Sequence, residues 1–300
     1  MIGKRKGRTV PVTESMVWAA YKQVKRKKGS AGVDKESIKK FDEDMSKNLY
    51  KIFNRMSSGS YFAPPVKEVE IPKDGGKVRK LGIPTVSDRI AQTVVKNYLE
   101  ERMEQLFTES SYGYRPLKSQ HDAIEAVKKN CKDTAWVIDM DIQGFFDEID
   151  HELLWKAIDQ KVPEKWVKMY VKRWLEAPVQ EKDGKLRQNK GKGTPQGGVI
   201  SPMLANLYLH YALDRWLEIN YPMIKFVRYA DDVIIHCKTK EEAEKVLETI
   251  QSRMKSCKLQ VHPEKTKIVY CKDYRRKEKS AQNSFDFLGF TFKPRPVKSK

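Results

Sequence analysis

Asp231 and Asp232 stand side by side in the run Phe226-Val227-Arg228-Tyr229-Ala230-Asp231-Asp232-Val233-Ile234-Ile235, whose flanks are largely apolar and β-branched. Such a run predicts two buried strands joined by a tight turn that carries both acids. A buried, unpaired carboxylate is costly and two neighbouring ones repel, so the turn calls for positive charge, and a divalent cation is the natural candidate. A solvated turn in which Asp merely breaks the strand explains the dipeptide alone equally well.

A second acidic pair lies in Trp136-Val137-Ile138-Asp139-Met140-Asp141-Ile142. Strand alternation places Val137, Asp139 and Asp141 on one face and Trp136, Ile138, Met140 and Ile142 on the other. Asp141 falls at the strand's end, before Gln143-Gly144-Phe145-Phe146-Asp147, where a side chain can reach solvent, ligand or metal. Asp139 reads as a structural or supporting acid, and ordinary strand-end polarity is the plainer alternative for both.

Cationic stretches could meet an anionic substrate. Alternation over residues 65–72 and 78–84, around Lys73-Asp74-Gly75-Gly76-Lys77, predicts a hairpin. Lys73 and Arg79 flank its turn from opposite strands and could grip a triphosphate, or simply guard an edge strand as solvated charges. In Lys190-Gly191-Lys192-Gly193-Thr194-Pro195-Gln196-Gly197-Gly198 the glycines permit close backbone approach, and the helix start that follows favours anions. The Gly-Lys-Ser/Thr ending of a Walker loop is missing, and a plain loop is the simpler reading. Ser111-Tyr112-Gly113-Tyr114-Arg115-Pro116 suits either nucleic-acid backbone contact or packing.

The elements that must position these residues follow from apolar spacing. Helices are expected over 13–27, 38–56, from a Ser87 cap through Leu106, from a Ser119 cap to Lys129, and over 152–160, 163–176, 201–219 and 241–257. Trp166, Tyr170 and Trp174 form a stripe that reads as core. A second basic hairpin is expected over 179–189, and a last strand over 285–290.

With 300 residues, 39% of them hydrophobic, the chain can bury a core without staples. Lys and Arg number 59 against 40 Asp and Glu, and the resulting formal charge of +19 is spread along the chain, which points to an extended polyanion as partner. The four cysteines are far apart and fit a reducing compartment. No apolar run reaches the roughly 20 residues that span a bilayer, and no signal segment follows Met1, so a soluble, cytoplasmic protein of a bacterial kind is expected, with no membrane partner.

Together these stretches closely resemble the reverse transcriptase domain of group II intron-encoded maturases. The likeness rests, in order, on the hairpin from Lys73 to Pro84, Tyr112-Gly113-Tyr114-Arg115-Pro116, Asp141 to Asp147, Thr194-Pro195-Gln196-Gly197-Gly198, Tyr229-Ala230-Asp231-Asp232, Pro263-Glu264-Lys265-Thr266 and Phe287-Leu288-Gly289. Tyr-Ala-Asp-Asp distinguishes reverse transcriptases from viral RNA replicases, and Gly32-Val33-Asp34 resembles the amino-terminal extension of non-retroviral members. The resemblance implies an α+β right-hand polymerase: an N-terminal extension and fingers hairpin over 1–90, a palm with an antiparallel sheet backed by helices over 91–300, and an interleaved fingers segment near 152–192. It implies two Mg2+ ions, replaceable by Mn2+, on Asp141, Ile142, Asp231 and Asp232. Lys265 corresponds to a proton donor, Lys73 and Arg79 to a triphosphate clamp, Gln196 and Gly197 to nucleotide and template contacts, and Phe146 to a group that selects the sugar. The implied partners are group II intron RNA, an RNA template with DNA primer, and dNTPs, and a homodimer is compatible. Family members continue into a helical thumb, which the sequence lacks, so a fragment is expected. A structured-RNA binding module for splicing, or a CRISPR- or diversity-associated reverse transcriptase, is the competing reading.

Overall fold

Thr13 accepts a hydrogen bond from the Met16 amide and opens α1 (Glu14–Lys27), whose Val17, Ala20, Tyr21 and Val24 recur on one face and are buried. The computed structural model describes residues 10–72, 78–188, 191–276, 278 and 280–294. The single helix expected over 38–56 is two, α2 (Ile38–Glu43) and α3 (Met45–Ser57). Asp44 leaves helical geometry at φ −118° and ψ 35°. The Asn48 side chain donates to the Phe41 carbonyl that the break sets free.

The strands β1 (Val66–Pro72) and β2 (Val78–Ile83) pair antiparallel, Lys67 opposite Ile83 and Pro72 opposite Val78. Residues 73–77 between them, and with them the expected turn and Lys73, lie outside the described residues. The long helix α4 (Val86–Leu106) is capped by Thr85, whose Oγ1 accepts from the Asp88 amide, and not by Ser87, which falls inside the first turn. After α5 (Gln120–Asp133), closed at its start by a Ser119–Asp122 capping box, come β3 (Trp136–Met140), α6 (Phe145–Glu148), α7 (His151–Lys161) and α8 (Lys165–Leu175). The short strands β4 (Val179–Gln180) and β5 (Leu186–Arg187) follow.

The helix expected over 201–219 is interrupted: α9 (Ser201–Leu209) widens into a π turn at His210–Asp214 before α10 (Arg215–Asn220). Then come β6 (Lys225–Tyr229), β7 (Asp232–Cys237), α11 (Lys240–Ser256) and β8 (Lys267–Tyr270). The expected last strand is a hairpin, β9 (Phe285–Phe287) and β10 (Phe290–Phe292). Its turn residues Leu288 and Gly289 both have positive φ, 53° and 80°, the backbone that a two-residue hairpin turn requires.

The chain forms two compact units. The first, Met1–Gln105 with Leu154–Leu204, holds the sheet β2-β1-β4-β5, in which β4 runs parallel to β1. The Trp166, Tyr170 and Trp174 stripe is buried in it, as its spacing predicts. There the buried carboxylate of Asp88 accepts hydrogen bonds from Tyr61 Oη (3.0 Å), Trp174 Nε1 (2.9 Å) and Gln92 Nε2 (2.9 Å). Burial raises its pKa while these donors oppose the shift.

The second unit, Leu106–Leu153 with Ala205–Lys300, is built on the antiparallel sheet β6-β7-β3-β8. Val137, Val227, Ile234 and Val269 from one face pack with Ala123 and Val127 of α5 and with Phe285 and Phe287 of the last hairpin. The central strand β3 is covered on both sides, so Val137 and Ile138 are equally buried. No helix among the described residues is long and apolar enough to cross a membrane.

His236 on β7 is buried, and burial, reinforced by the nearby Lys225 charge, lowers its pKa to about 3. The unfolded chain takes up this proton near pH 6.5, so acidification between the two values favours unfolding. Between pH 7 and 5 this residue alone should remove about 2 kcal/mol of stability. Denaturant unfolding at both pH values checks it: His236→Val should flatten the loss, and an unchanged slope would contradict the assignment.

Candidate active site

Strand register gathers the acids of the second unit. Val137 pairs with His236 and Asp139 with Ile234 on β7, while Tyr229 of β6 pairs with Asp232. Asp139 and Asp232 therefore share a sheet face. Burial first, then the negative charge of Asp232, pushes Asp139 up to about 7; Asp141 and Asp286 add to the shift and Lys267 opposes it. The acids are thus close enough to act on one another.

Asp141 is fixed from two sides. Its carbonyl accepts the His262 amide at 2.8 Å, Ile142 bridges to Val261, and the Gln143 amide reaches the Gln260 carbonyl at 2.9 Å. The same segment delivers Lys265, whose Nζ donates to Asp141 Oδ2 at 2.6 Å. Asp231 and Asp232 lie at the β6–β7 turn, where Ala230 has φ 57° although it carries a Cβ. Gly113 backs directly onto this turn: a Cβ there would stand 2.5 Å from the Ala230 nitrogen. Of this loop, Ser111 is buried, the Tyr112 amide donates to the Arg228 carbonyl at 2.8 Å and the Tyr112 side chain packs against the apolar cluster, whereas Tyr114 is exposed.

Arg79, Gln196 and Gly197 meet in the first unit. Arg79 Nε donates to Gln196 Oε1 at 2.9 Å, and the Gly82 amide donates to the Gln196 carbonyl at 2.6 Å. Gly197 has φ 111°, and a Cβ on it would stand 2.3 Å from the Gly82 carbonyl oxygen. Farther along, Gln92 Oε1 accepts the Ile200 amide at 3.2 Å. The loop is thus fastened to β2 by a backbone approach that only glycine permits at position 197, and to α4 by the Gln92 side chain.

Residues 71–292 match the family described as reverse transcriptase (RNA-dependent DNA polymerase). The chain belongs to this family. Its reverse transcriptase domain is 34% identical over 204 residues to the group II intron-encoded protein LtrA of Lactococcus lactis subsp. cremoris, covering 67% of this chain and 33% of that protein. Protein YkfC of Escherichia coli K12 is 32% identical over 279 residues, covering 81% of this chain and 73% of YkfC. A telomerase from Candida albicans, solved with a TWJ fragment of telomeric RNA, aligns with a TM-score of 0.60 at 14% identity over 84% of this chain and 48% of that one, a likeness of fold alone. The chain spans a third of LtrA and about half of the telomerase. The reverse transcriptase domain is of the group II intron type, and its α+β architecture is that of fingers and palm.

Among the described residues of the reverse transcriptase domain, no three His, Cys, Asp or Glu side chains are set to hold a metal ion. Asp141 is paired with Lys265, whose ammonium offsets that carboxylate's charge. Hard oxygen donors whose charges act on one another nevertheless fit Mg2+ or Mn2+. Phe146 is buried on α6, its ring centroid 5.5 Å from that of Phe145. The pair lies on a short helix and both rings are buried. Sequence reasoning also missed Arg228, Asp214 and Asn206, which lie behind the acidic turn. One signal was available: an arginine inside an apolar strand needs a buried acid as partner.

Proposed function

We propose that the chain copies RNA into DNA by nucleotidyl transfer at Asp141, Asp231 and Asp232, with intron RNA as its natural template and partner in splicing and retrohoming. The observation that carries this reading is the strand register that sets Asp232 on the sheet face of Asp139, with Asp141 just past the end of β3, in a chain of the reverse transcriptase family. We read the first unit as fingers and the second as palm. Asp141, Asp231 and Asp232, with Ile142, would hold two Mg2+ ions. Bound there, the metals would activate the primer 3′-hydroxyl and offset charge on the leaving pyrophosphate. Lys265 Nζ, held on Asp141, would give its proton to a pyrophosphate oxygen. Arg79, with Lys73, would bind the triphosphate, and Gln196 and Gly197 would contact the incoming nucleotide and the template.

Extension of oligo(dT) on poly(rA), run beside binding of a structured group II intron RNA at the same salt, tests this function. Template-dependent DNA synthesis is expected together with RNA binding that weakens steeply as salt rises. RNA binding without synthesis would make the chain a binding module instead.

Phe146 would lie against the sugar of the incoming nucleotide and exclude a 2′-hydroxyl by bulk. Phe146→Val should raise ribonucleotide over deoxyribonucleotide incorporation by at least about tenfold, the worth of roughly 1.4 kcal/mol in differential binding. Competition between rUTP and dTTP on the same template measures it, and unchanged discrimination would rule the gate out.

A further inference from the structure

The side chain of Arg228 points to the opposite face of the sheet from Asp232 and is 0% exposed. A guanidinium keeps its charge in proteins and carries five N–H donors. Each finds an acceptor here. Nε donates to Asp214 Oδ1 at 2.7 Å, and Nη2 donates to Asp214 Oδ2 at 2.5 Å and to Ser111 Oγ at 2.8 Å. Nη1 donates to Asn206 Oδ1 at 2.9 Å and to the carbonyl of Ala230 at 3.0 Å.

The last bond reaches the acidic turn itself. Ala230 holds a left-handed backbone that a residue with a Cβ seldom adopts, and such geometry persists only where its surroundings impose it. Two supports are visible. Arg228 ties down the Ala230 carbonyl, and Gly113 packs against the Ala230 nitrogen while its own carbonyl accepts from Asn206 Nδ2 at 2.7 Å. Asn206 therefore joins both supports. Asp214, the acid that orients the guanidinium, closes the π turn, a helix irregularity that often accompanies functional sites.

We propose that Arg228 is the positioning residue of the acidic turn: clamped by Asp214 and Asn206, it fixes Ala230 and thereby aims Asp231 and Asp232. A need for burial alone would be met by an apolar residue at less desolvation cost, whereas the forked donor set meets five acceptors in one geometry. The proposal rests on Asp231 and Asp232 being the catalytic acids.

Arg228→Lys separates positioning from folding, because it keeps a cation for Asp214 but cannot serve Ala230, Asn206 and Ser111 together. In pre-steady-state primer extension the burst rate should fall about 100-fold, as for a misplacement of about 1 Å. The dNTP KM should stay within about threefold, and the burst amplitude per folded chain should be retained. A merely structural role would lower the amplitude and leave the rate. If Arg228→Lys does not fold, Asn206→Leu should show the same pattern with a rate loss of about tenfold. A wild-type burst rate, or a loss confined to amplitude, in a folded variant would overturn the proposal. Asp231→Asn, assayed in parallel, identifies which idea failed: synthesis by that variant refutes the acid assignment, whereas an inactive Asp231→Asn beside a fully fast Arg228→Lys refutes the positioning role alone.

Discussion

Asp231→Asn is expected to lower RNA-templated DNA synthesis by at least about 10³-fold, the equivalent of about 4 kcal/mol of transition-state stabilisation. The same variant should fold and bind RNA as the parent does. Asp231 lies at the hairpin turn, outside the apolar cluster that Val227 and Ile234 form with α5. Removing one of two adjacent charges also relieves repulsion, so thermal unfolding in the absence of metal should be unchanged or slightly higher. Single-turnover extension with circular dichroism melts on the same preparation checks both halves. An inactive and unfolded variant would leave a structural role for Asp231, while a folded and active one would remove it from the site.

Gly197→Ala should strongly destabilise the first unit. The new methyl would meet the Gly82 carbonyl oxygen at 2.3 Å, and φ at 111° is itself unfavourable for alanine. Backbone stands on both sides of the contact, so no flexible side chain can absorb the clash. The loop must separate from β2, breaking the 2.6 Å hydrogen bond from Gly82 to Gln196 and the Arg79–Gln196 contact. A loss of about 3 kcal/mol is expected, or roughly 6 to 12 °C in melting temperature. A raised KM for dNTP should accompany it if Arg79 and Gln196 contact the incoming nucleotide. An unchanged melting temperature would mean that the loop does not hold this approach to β2.

The acids were legible because strand alternation is simple. Trp136 to Asp141 and Phe226 to Ile235 each put apolar residues where a sheet interior needs them, and Asp141, Asp231 and Asp232 fell at a strand end and a turn. Capping chemistry made Ser119 readable in the same way, while the cap read at Ser87 falls on Thr85. Short-range spacing could not show that Asp44 breaks a helix, because the apolar period continues through it. Nor could it show the π turn at His210–Asp214, which adds a residue to a turn without any Gly or Pro to mark it. Arg228 was hidden for a related reason. Its partners Ser111, Asn206 and Asp214 are up to 117 residues away in sequence, and only the fold brings them to one guanidinium. The contact between Lys265 and Asp141 also joins distant segments, 124 residues apart, and the resemblance to intron-encoded reverse transcriptases, not the spacing, pointed to that lysine.

Metal binding at the acids can be counted directly. Electron paramagnetic resonance titration of Mn2+ into the chain with primer, RNA template and a non-hydrolysable dNTP analogue should show two tightly bound ions per complex, with loss of at least one in Asp141→Asn and in Asp231→Asn. Equal Mn2+ occupancy in the parent and both variants would contradict the assignment of these carboxylates as the metal-binding centre.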